Sequence, residues 1–346
     1  MKDKVKICHI VPSNFGGGVE AAANTFISYS CQKFIFSVYF IKSSRNENSL
    51  ISYLKSIKYL YQNKPDILLT SLWKSNILAL IYKIFSYDSK LILFLHSTKN
   101  THFLDIFYSN LTAMFAFEIW ADSKITLQKR IRRLYIFRTY KYFFKKNIKK
   151  RFISLVKEEI TSITSKKCKP SFIYWGRLSQ EKNIDKAIEF FSKIHKFNNK
   201  STFTIIGPDS GEKKSLCLLI KKLDLNDNIH IFDFMNFNQI KEYAKKSSFF
   251  IQLSTFEGMA MSVSESMQLG LIPVVTSVGE INIYCKNLYN SFIYNDNEDE
   301  IIKEIFKLIS NKSYYTKMRE NSIKTWTNSS IYKNDLIKIF NEISNY

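Results

Sequence analysis

The residues best suited to chemistry lie in STFEGMAMSVSESMQLGLIPVVTS, residues 254–277. An apolar strand ending in FFIQLS leads into a polar turn with Glu257 and Gly258, and a helix carrying Glu265 follows until Gly270 stops it. The amides at such a helix start, over residues 258–262, lack intrahelical acceptors and sit at the positive end of the helix dipole. Gly258, Met259, Ala260 and Met261 therefore frame a donor-rich site for a phosphate or a sugar hydroxyl. Glu257 before the helix and Glu265 about two turns into it can each accept hydrogen bonds from hydroxyls, one from a sugar ring and the other from a ribose. Either glutamate alone would read as a helix-start charge or a solvated helix residue. The pair, flanking an anion site between two strands, points to a ligand.

Three further segments add charge, close backbone and a titratable group. In FIYWGRLSQEKNID, residues 172–185, a strand delivers Gly176 and Arg177 at its carboxyl end, and Lys182 follows five residues later. Arginine is a fixed fork for diphosphate oxygens and lysine a point charge on a flexible stem, so the two can neutralise a diphosphate leaving group. The chain holds no Asp-X-Asp triplet, so a metal bound by such a motif is not expected, nor is a cofactor. In VPSNFGGGVEAAANTF, residues 11–26, Gly16, Gly17 and Gly18 let the backbone approach a ligand in front of a helix start, or simply make a tight turn. The run matches neither the dinucleotide nor the ATPase glycine pattern. His96 ends LILFLH at the carboxyl end of a strand, where it could hydrogen-bond a sugar or help receive an acceptor proton; a satisfied structural histidine is the alternative. His9 reads as a strand residue.

The elements that must position these residues alternate in the manner of βα units around parallel sheets. Strands are expected at 5–11, 34–41, 66–70, 90–95 and 118–121, with helices at 19–30, 49–61, 75–85 and 103–115. A second series has strands at 171–175, 203–206, 229–232, 249–253, 272–276 and 291–294, and helices at 183–195, 212–223, 238–246, 262–269 and 299–310. The fold class is α/β, with two Rossmann-like doubly wound domains facing a cleft and ligands at the carboxyl ends of the strands. Residues 1–168 are read as the acceptor- and membrane-facing domain, 169–325 as the donor domain, and 326–346 as a helix packing back across the linker.

Charge is unequally divided. Residues 1–168 carry 28 Lys+Arg against 10 Asp+Glu, out of 51 and 30 in the whole chain of 346 residues. Within 129–151, eleven residues are basic and none acidic, with aromatic and aliphatic residues interleaved, a mixture suited to an anionic bilayer surface or to a solvated basic helix. No nucleic-acid motif accompanies the charge, so nucleic acid is not an expected partner. Five scattered cysteines, no secretion-type start and no long apolar run predict free thiols, no membrane span and a cytoplasmic setting at the inner face of the membrane.

On these residues the chain resembles the retaining GT-B glycosyltransferases of family 4 over nearly its whole length. The likeness rests on GGGVE near the start, WGRLSQEKN with Arg177 and Lys182, IIGPDS with Gly207, and EGMAMSVSE with the Glu-X7-Glu spacing of Glu257 and Glu265. The resemblance implies that Glu257 touches the donor sugar, Glu265 the ribose, Arg177 and Lys182 the diphosphate, Gly17 the donor across the cleft, and His96 the sugar or acceptor. It places Gly18, Gly176, Gly207 and residues 258–261 in the donor pocket, and it implies retention of configuration without a metal. Met259 and Ala260 stand where the family often has Phe-Gly, and RFISLV at 151–156 occupies the place of its Asn-Gly-X-Asp turn. The implied reaction moves a hexose or N-acetylhexosamine from a UDP-sugar to a lipid-linked glycan of a surface polysaccharide such as O-antigen or capsule. A sugar-nucleotide 2-epimerase of the same architecture and a basic nucleic-acid-binding protein are the rival readings.

Overall fold

The computed structural model describes residues 4–14, 18–26, 30–42, 47–86, 88–96, 103–144, 147–154, 156, 162–164, 167–327 and 329–344. The chain forms two units, one of residues 1–157 with 330–346 and one of residues 158–329. Each is built on a six-stranded sheet in which every pairing is parallel.

In the first unit the strands are β1 (Val5–Ser13), β2 (Phe34–Lys42), β3 (Ile67–Ser71), β4 (Lys90–Leu95), β5 (Glu118–Ala121) and β6 (Lys149–Phe152), in the order β2-β1-β3-β4-β5-β6. Central strands such as β3 and β4 are buried along nearly their whole length and carry the apolar runs ILL and LILFL because helices cover both their faces. The helices are α1 (Gly18–Asn24), α2 (Ser49–Asn63), α3 (Trp73–Phe85), α4 (Phe103–Phe115), α5 (Lys124–Arg133) and α6 (Tyr135–Phe144). Cys8, Ile10, Leu68 and Leu91 pack with Leu60, Leu78 and Tyr82, whereas Leu93, Leu95 and Ile119 pack with Ala113, Leu134 and Phe137. Strand order reverses between β1 and β3, so the ligand-accepting edge of this unit lies at the carboxyl ends of those strands.

The second unit holds β7 (Ser171–Trp175), β8 (Thr202–Ile206), β9 (Ile229–Phe232), β10 (Phe249–Gln252), β11 (Ile272–Thr276) and β12 (Phe292–Tyr294), ordered β12-β11-β10-β7-β8-β9, with its reversal between β7 and β10. Around it run α7 (Ile184–Phe197), α8 (Lys213–Lys222), α9 (Phe237–Ala244), α10 (Met261–Leu269), α11 (Ile281–Tyr284), α12 (Glu298–Ser310) and α13 (Lys312–Lys324). Helix α14 (Tyr332–Ser344) belongs to the first unit, where the Phe340 ring packs at a tilt against Phe34, Phe36 and Trp120.

Two placements differ from the sequence reading. The second unit begins before residue 169: Ser162 and Thr164 hydroxyls donate to the carbonyl of Leu269, which the left-handed turn at Gly270 (φ 89°) leaves open, and Arg319 donates to Thr164. The basic segment 129–151 is also not uniformly solvated. Arg130 makes two bonds, 2.8 and 2.9 Å, to the buried Asp105, and Arg151 binds Glu118 at 2.7 and 3.0 Å. Strand β6, which no apolar alternation announces, is held at the sheet edge by that second pair and by pairing with β5. Lys145 and Lys146 lie outside the described residues.

Candidate functional site

At the reversal point of the second unit, Lys182 and Glu257 form an ion pair of 2.6 Å, their side chains only 16% and 9% exposed. Lys182 comes from the short helical turn Gln180–Lys182 beyond β7, and Glu257 from the loop beyond β10. Gln252, the last residue of β10, donates to the same Glu257 oxygen at 2.8 Å and accepts from Ser262 at 2.6 Å. A lysine, a carboxylate, an amide and a hydroxyl are thus linked in front of the first turn of α10.

The Glu257 loop is fixed from behind. Ala260 takes the left-handed conformation (φ 55°, ψ 70°) that turns the chain into α10, a conformation costly for any residue with a Cβ. The backbone N–H of Glu280 donates to the Gly258 carbonyl at 2.9 Å, and the Tyr284 hydroxyl donates to the Met259 carbonyl at 2.7 Å. Gly279 (φ 59°) lies so close that a Cβ there would sit 2.5 Å from the carbonyl oxygens of both Glu257 and Gly258. Burial, with Cys285 and the Glu257 charge adding to it, pushes the Tyr284 phenol well above its ordinary range, so the hydroxyl stays protonated as a donor.

Glu265 is not a solvated helix residue. It is buried on α10 and accepts from Trp175 Nε1 at 3.1 Å, which ties it to the end of β7. Arg177 differs from Lys182: its side chain is 54% exposed, with Glu181 at 3.8 Å. The Tyr174 hydroxyl donates to the Arg177 carbonyl at 3.0 Å, and burial followed by the Glu257 charge raises that phenol well above its usual range. Gly176 and Gly207 meet at the ends of β7 and β8, where a Cβ on Gly207 would lie 1.7 Å from the Gly176 carbonyl oxygen. The second unit therefore brings together Gly176, Arg177, Lys182, Glu257, residues 258–261 and Glu265 around one end of one sheet.

In the first unit, Gly18 opens α1, and Gly17 lies outside the described residues. His96 follows β4 and is buried, with Nε2 at 2.8 Å from Ser71 Oγ and Nδ1 at 3.3 Å from Asp122 Oδ2. His9 Nε2 lies 2.8 Å from the same Ser71 oxygen. Beside His96 is a cavity of about 220 Å³ lined also by Leu72, Trp73, Asn76, Asp105 and Arg130. Leu72 has φ 68° and ψ 154°, a region almost confined to glycine, and such strain costs on the order of 1–3 kcal/mol and collects at functional sites.

Sequence reasoning did not single out Gln252, Trp175, Gly279, Tyr284, Ser71 or Asp122, and it left His9 as a strand residue. Gln252 and Asp122 carried a usable signal, the first a polar residue ending the strand FFIQ and the second a polar residue directly after EIWA. The partners of Ser71 and Tyr284 arise from tertiary contacts and left no local trace.

Residues 156–325 match the family described as glycosyl transferases group 1. A curated relative, alpha-monoglucosyldiacylglycerol synthase of Acholeplasma laidlawii, is 24% identical over 147 residues, 42% of this chain and 36% of that protein, so the match spans about a third of the relative. Among solved structures, HepE of Anabaena in complex with UDP-glucose superposes with a TM-score of 0.75 at 15% identity, covering 99% of this chain and 100% of that one. Sucrose-phosphate synthase of Thermosynechococcus elongatus superposes with a TM-score of 0.78 at 10% identity, again over 99% and 100% of the two chains. These likenesses show the GT-B fold, and with the family match they support a GT-B glycosyltransferase.

Proposed function

We propose that this GT-B chain is a glycosyltransferase that moves a hexose or N-acetylhexosamine from a UDP-sugar to a lipid-linked glycan in surface-polysaccharide assembly, with retention and without a metal. The observation that carries the reading is the Lys182–Glu257–Gln252–Ser262 cluster, set at the strand-order reversal with Glu265 behind it. Lys182 offsets the charge that grows on the departing diphosphate, Arg177 reaches it from the exposed side, Glu257 holds sugar hydroxyls, and Glu265 holds the ribose. The acceptor oxygen bonds to the anomeric carbon on the face from which UDP leaves, and its proton passes to the departing phosphate oxygen. UDP-glucose in HepE and the diacylglycerol glycolipid named for the Acholeplasma enzyme lend the donor and the lipid acceptor their support.

A screen of nucleotide sugars against lipid-linked acceptors, read by product mass, tests the reading. Transfer should persist in EDTA within about twofold of the untreated rate, because side-chain cations rather than a metal balance the diphosphate. Activity lost in EDTA and restored by magnesium or manganese would refute the metal-free assignment. Consumption of UDP-sugar with no acceptor present would instead indicate an isomerase.

Membrane contact through the first unit is part of the proposal. Helix α6 exposes Tyr135, Ile136 and Tyr142 beside the exposed Lys129, Arg132 and Arg138, and among the described residues no helix is long and apolar enough to cross a membrane. Each charge near an anionic surface contributes about 1 kcal/mol, less as salt rises. Changing Lys129, Arg132, Arg138 and Lys141 to Gln should release the protein from anionic vesicles in a flotation assay while transfer to a short-chain acceptor survives. Undiminished vesicle binding at moderate salt would end this assignment. Arg130 and Arg151 are left in place because their carboxylate partners are buried.

A further inference from the structure

Four adjacent strands of the first unit each contribute one residue to a single buried chain. His9 lies within β1, Ser71 ends β3, His96 follows β4 and Asp122 follows β5. The register places them on one face: His9 pairs with Leu69, two residues before Ser71, and Leu95 pairs with Ala121, one residue before His96 and Asp122. Ser71 Oγ stands 2.8 Å from Nε2 of both histidines, and His96 Nδ1 faces Asp122.

Proton counting then leaves one arrangement. Burial, with the neighbouring His96 adding to it, pushes the His9 imidazole down to about 3, so His9 is neutral and carries a single N–H. Among the described residues its Nδ1 is buried without a hydrogen-bond partner. An N–H there would be an orphan donor, costing about 1–3 kcal/mol, so the proton belongs on Nε2 and is donated to Ser71. Ser71 has one proton of its own and, among the described residues, one other neighbour to receive it, the lone pair on His96 Nε2. His96 is thereby left with its proton on Nδ1, where Asp122 accepts it.

We infer that His9, acting through Ser71, is a positioning residue that fixes His96 as the neutral Nδ1–H tautomer with both ring nitrogens engaged. His96 then has no free lone pair to take a proton from an acceptor and no Nε2 proton to give to a sugar. It serves as an oriented wall of the cavity it shares with the Arg130–Asp105 pair, with its Nδ1 turned toward Asp122. In the proposed transfer the acceptor proton accordingly goes to the leaving phosphate. The tautomer follows from the hydrogen-bond geometry together with the burial of His9; only its effect on turnover rests on the glycosyltransferase reading.

The charged and titratable groups facing the chain are Asp122 toward His96, the two histidines toward one another, and Arg130 with Asp105 across the cavity. The test is a two-bond ¹H–¹⁵N spectrum of the full-length protein near pH 7.5. The chain has five histidines, so His9→Gln and His96→Gln suffice to assign both signals. The expected pattern is Nε2–H for His9 and Nδ1–H for His96. A His96 ring carrying Nε2–H, or both protons, or a His9 carrying Nδ1–H, overturns the inference. Ser71→Ala should release the His96 tautomer, so that its ring shows Nε2–H alongside Nδ1–H in the same spectrum. Because the native spectrum decides the tautomer, a Ser71→Ala protein that does not fold leaves the inference open to refutation. The expected spectra with no sugar transfer would remove the transferase reading and leave the tautomer intact.

Discussion

Glu257→Gln should lower sugar transfer by about 10- to 150-fold while UDP binds as before, and Glu265→Gln should weaken UDP and UDP-sugar equally. The difference follows from the two environments. Glu257 shares one oxygen between Lys182 and Gln252 at the mouth of the cluster, where the proposed glycosidic bond breaks. Glu265 is held by Trp175 on the flank of α10, next to a part of the donor that does not react. Losing one charged hydrogen bond costs roughly 1.5–3 kcal/mol, which gives the stated range. Glu257→Gln also leaves the half-sheltered Lys182 without its counter-charge, so some loss of melting temperature is expected and binding must be measured well below the transition. Calorimetry with UDP and steady-state kinetics with UDP-sugar separate the effects. Abolished UDP binding in Glu257→Gln together with unchanged binding in Glu265→Gln would reverse the two roles, and no change in either variant would remove the pair from the site.

Gly207→Ala should destabilise the second unit by about 3 kcal/mol or more and lower its melting temperature by roughly 10 °C. The added methyl would lie 1.7 Å from the Gly176 carbonyl oxygen and 2.7 Å from its carbon, both backbone atoms that no rotamer change can move aside. The ends of β7 and β8 must separate, stretching the 3.0 Å bond from the Gly176 N–H to the Ile206 carbonyl and displacing Arg177 beyond it. Gly211→Ala is the internal control, since nothing lies within 4 Å of its Cβ and only a backbone strain of about 1 kcal/mol at φ 105° opposes it. Scanning calorimetry of both variants checks the contrast; equal melting temperatures would show that the two strand ends are not in fixed contact.

The parts of this architecture legible beforehand were those encoded locally. ILL in β3 and LILFL in β4 are unbroken apolar runs because helices cover both sheet faces, and Gly270 stops α10 because its left-handed conformation suits no other residue as well. The Glu257–Glu265 spacing, Gly176 and Lys182 were legible because strand, turn and helix succeed one another within each motif. What escaped were relations across the fold. A lysine-rich KKRF does not look like a strand until Glu118, 33 residues away, receives Arg151. The basic count over 129–151 likewise treats Arg130 and Arg132 alike, although one is sealed against Asp105 and the other faces water. The hydrogen-bond order in the His9–Ser71–His96 chain depends on three strands being neighbours, which no window along the sequence contains.

The first unit is assembled from two stretches of chain, 1–157 and 330–346, while the second is one continuous stretch between them. During synthesis the second unit has all its residues available before the first does, so it can close while Phe34, Phe36 and Trp120 still await Phe340, and Arg151 still awaits Glu342. A growing chain at about 5–20 residues per second takes on the order of a second to supply residues 330–346. Throughout that interval Phe34, Phe36 and Trp120 lack Phe340, so the first unit matures only after residues made later than the whole second unit, not on the appearance of its own six strands.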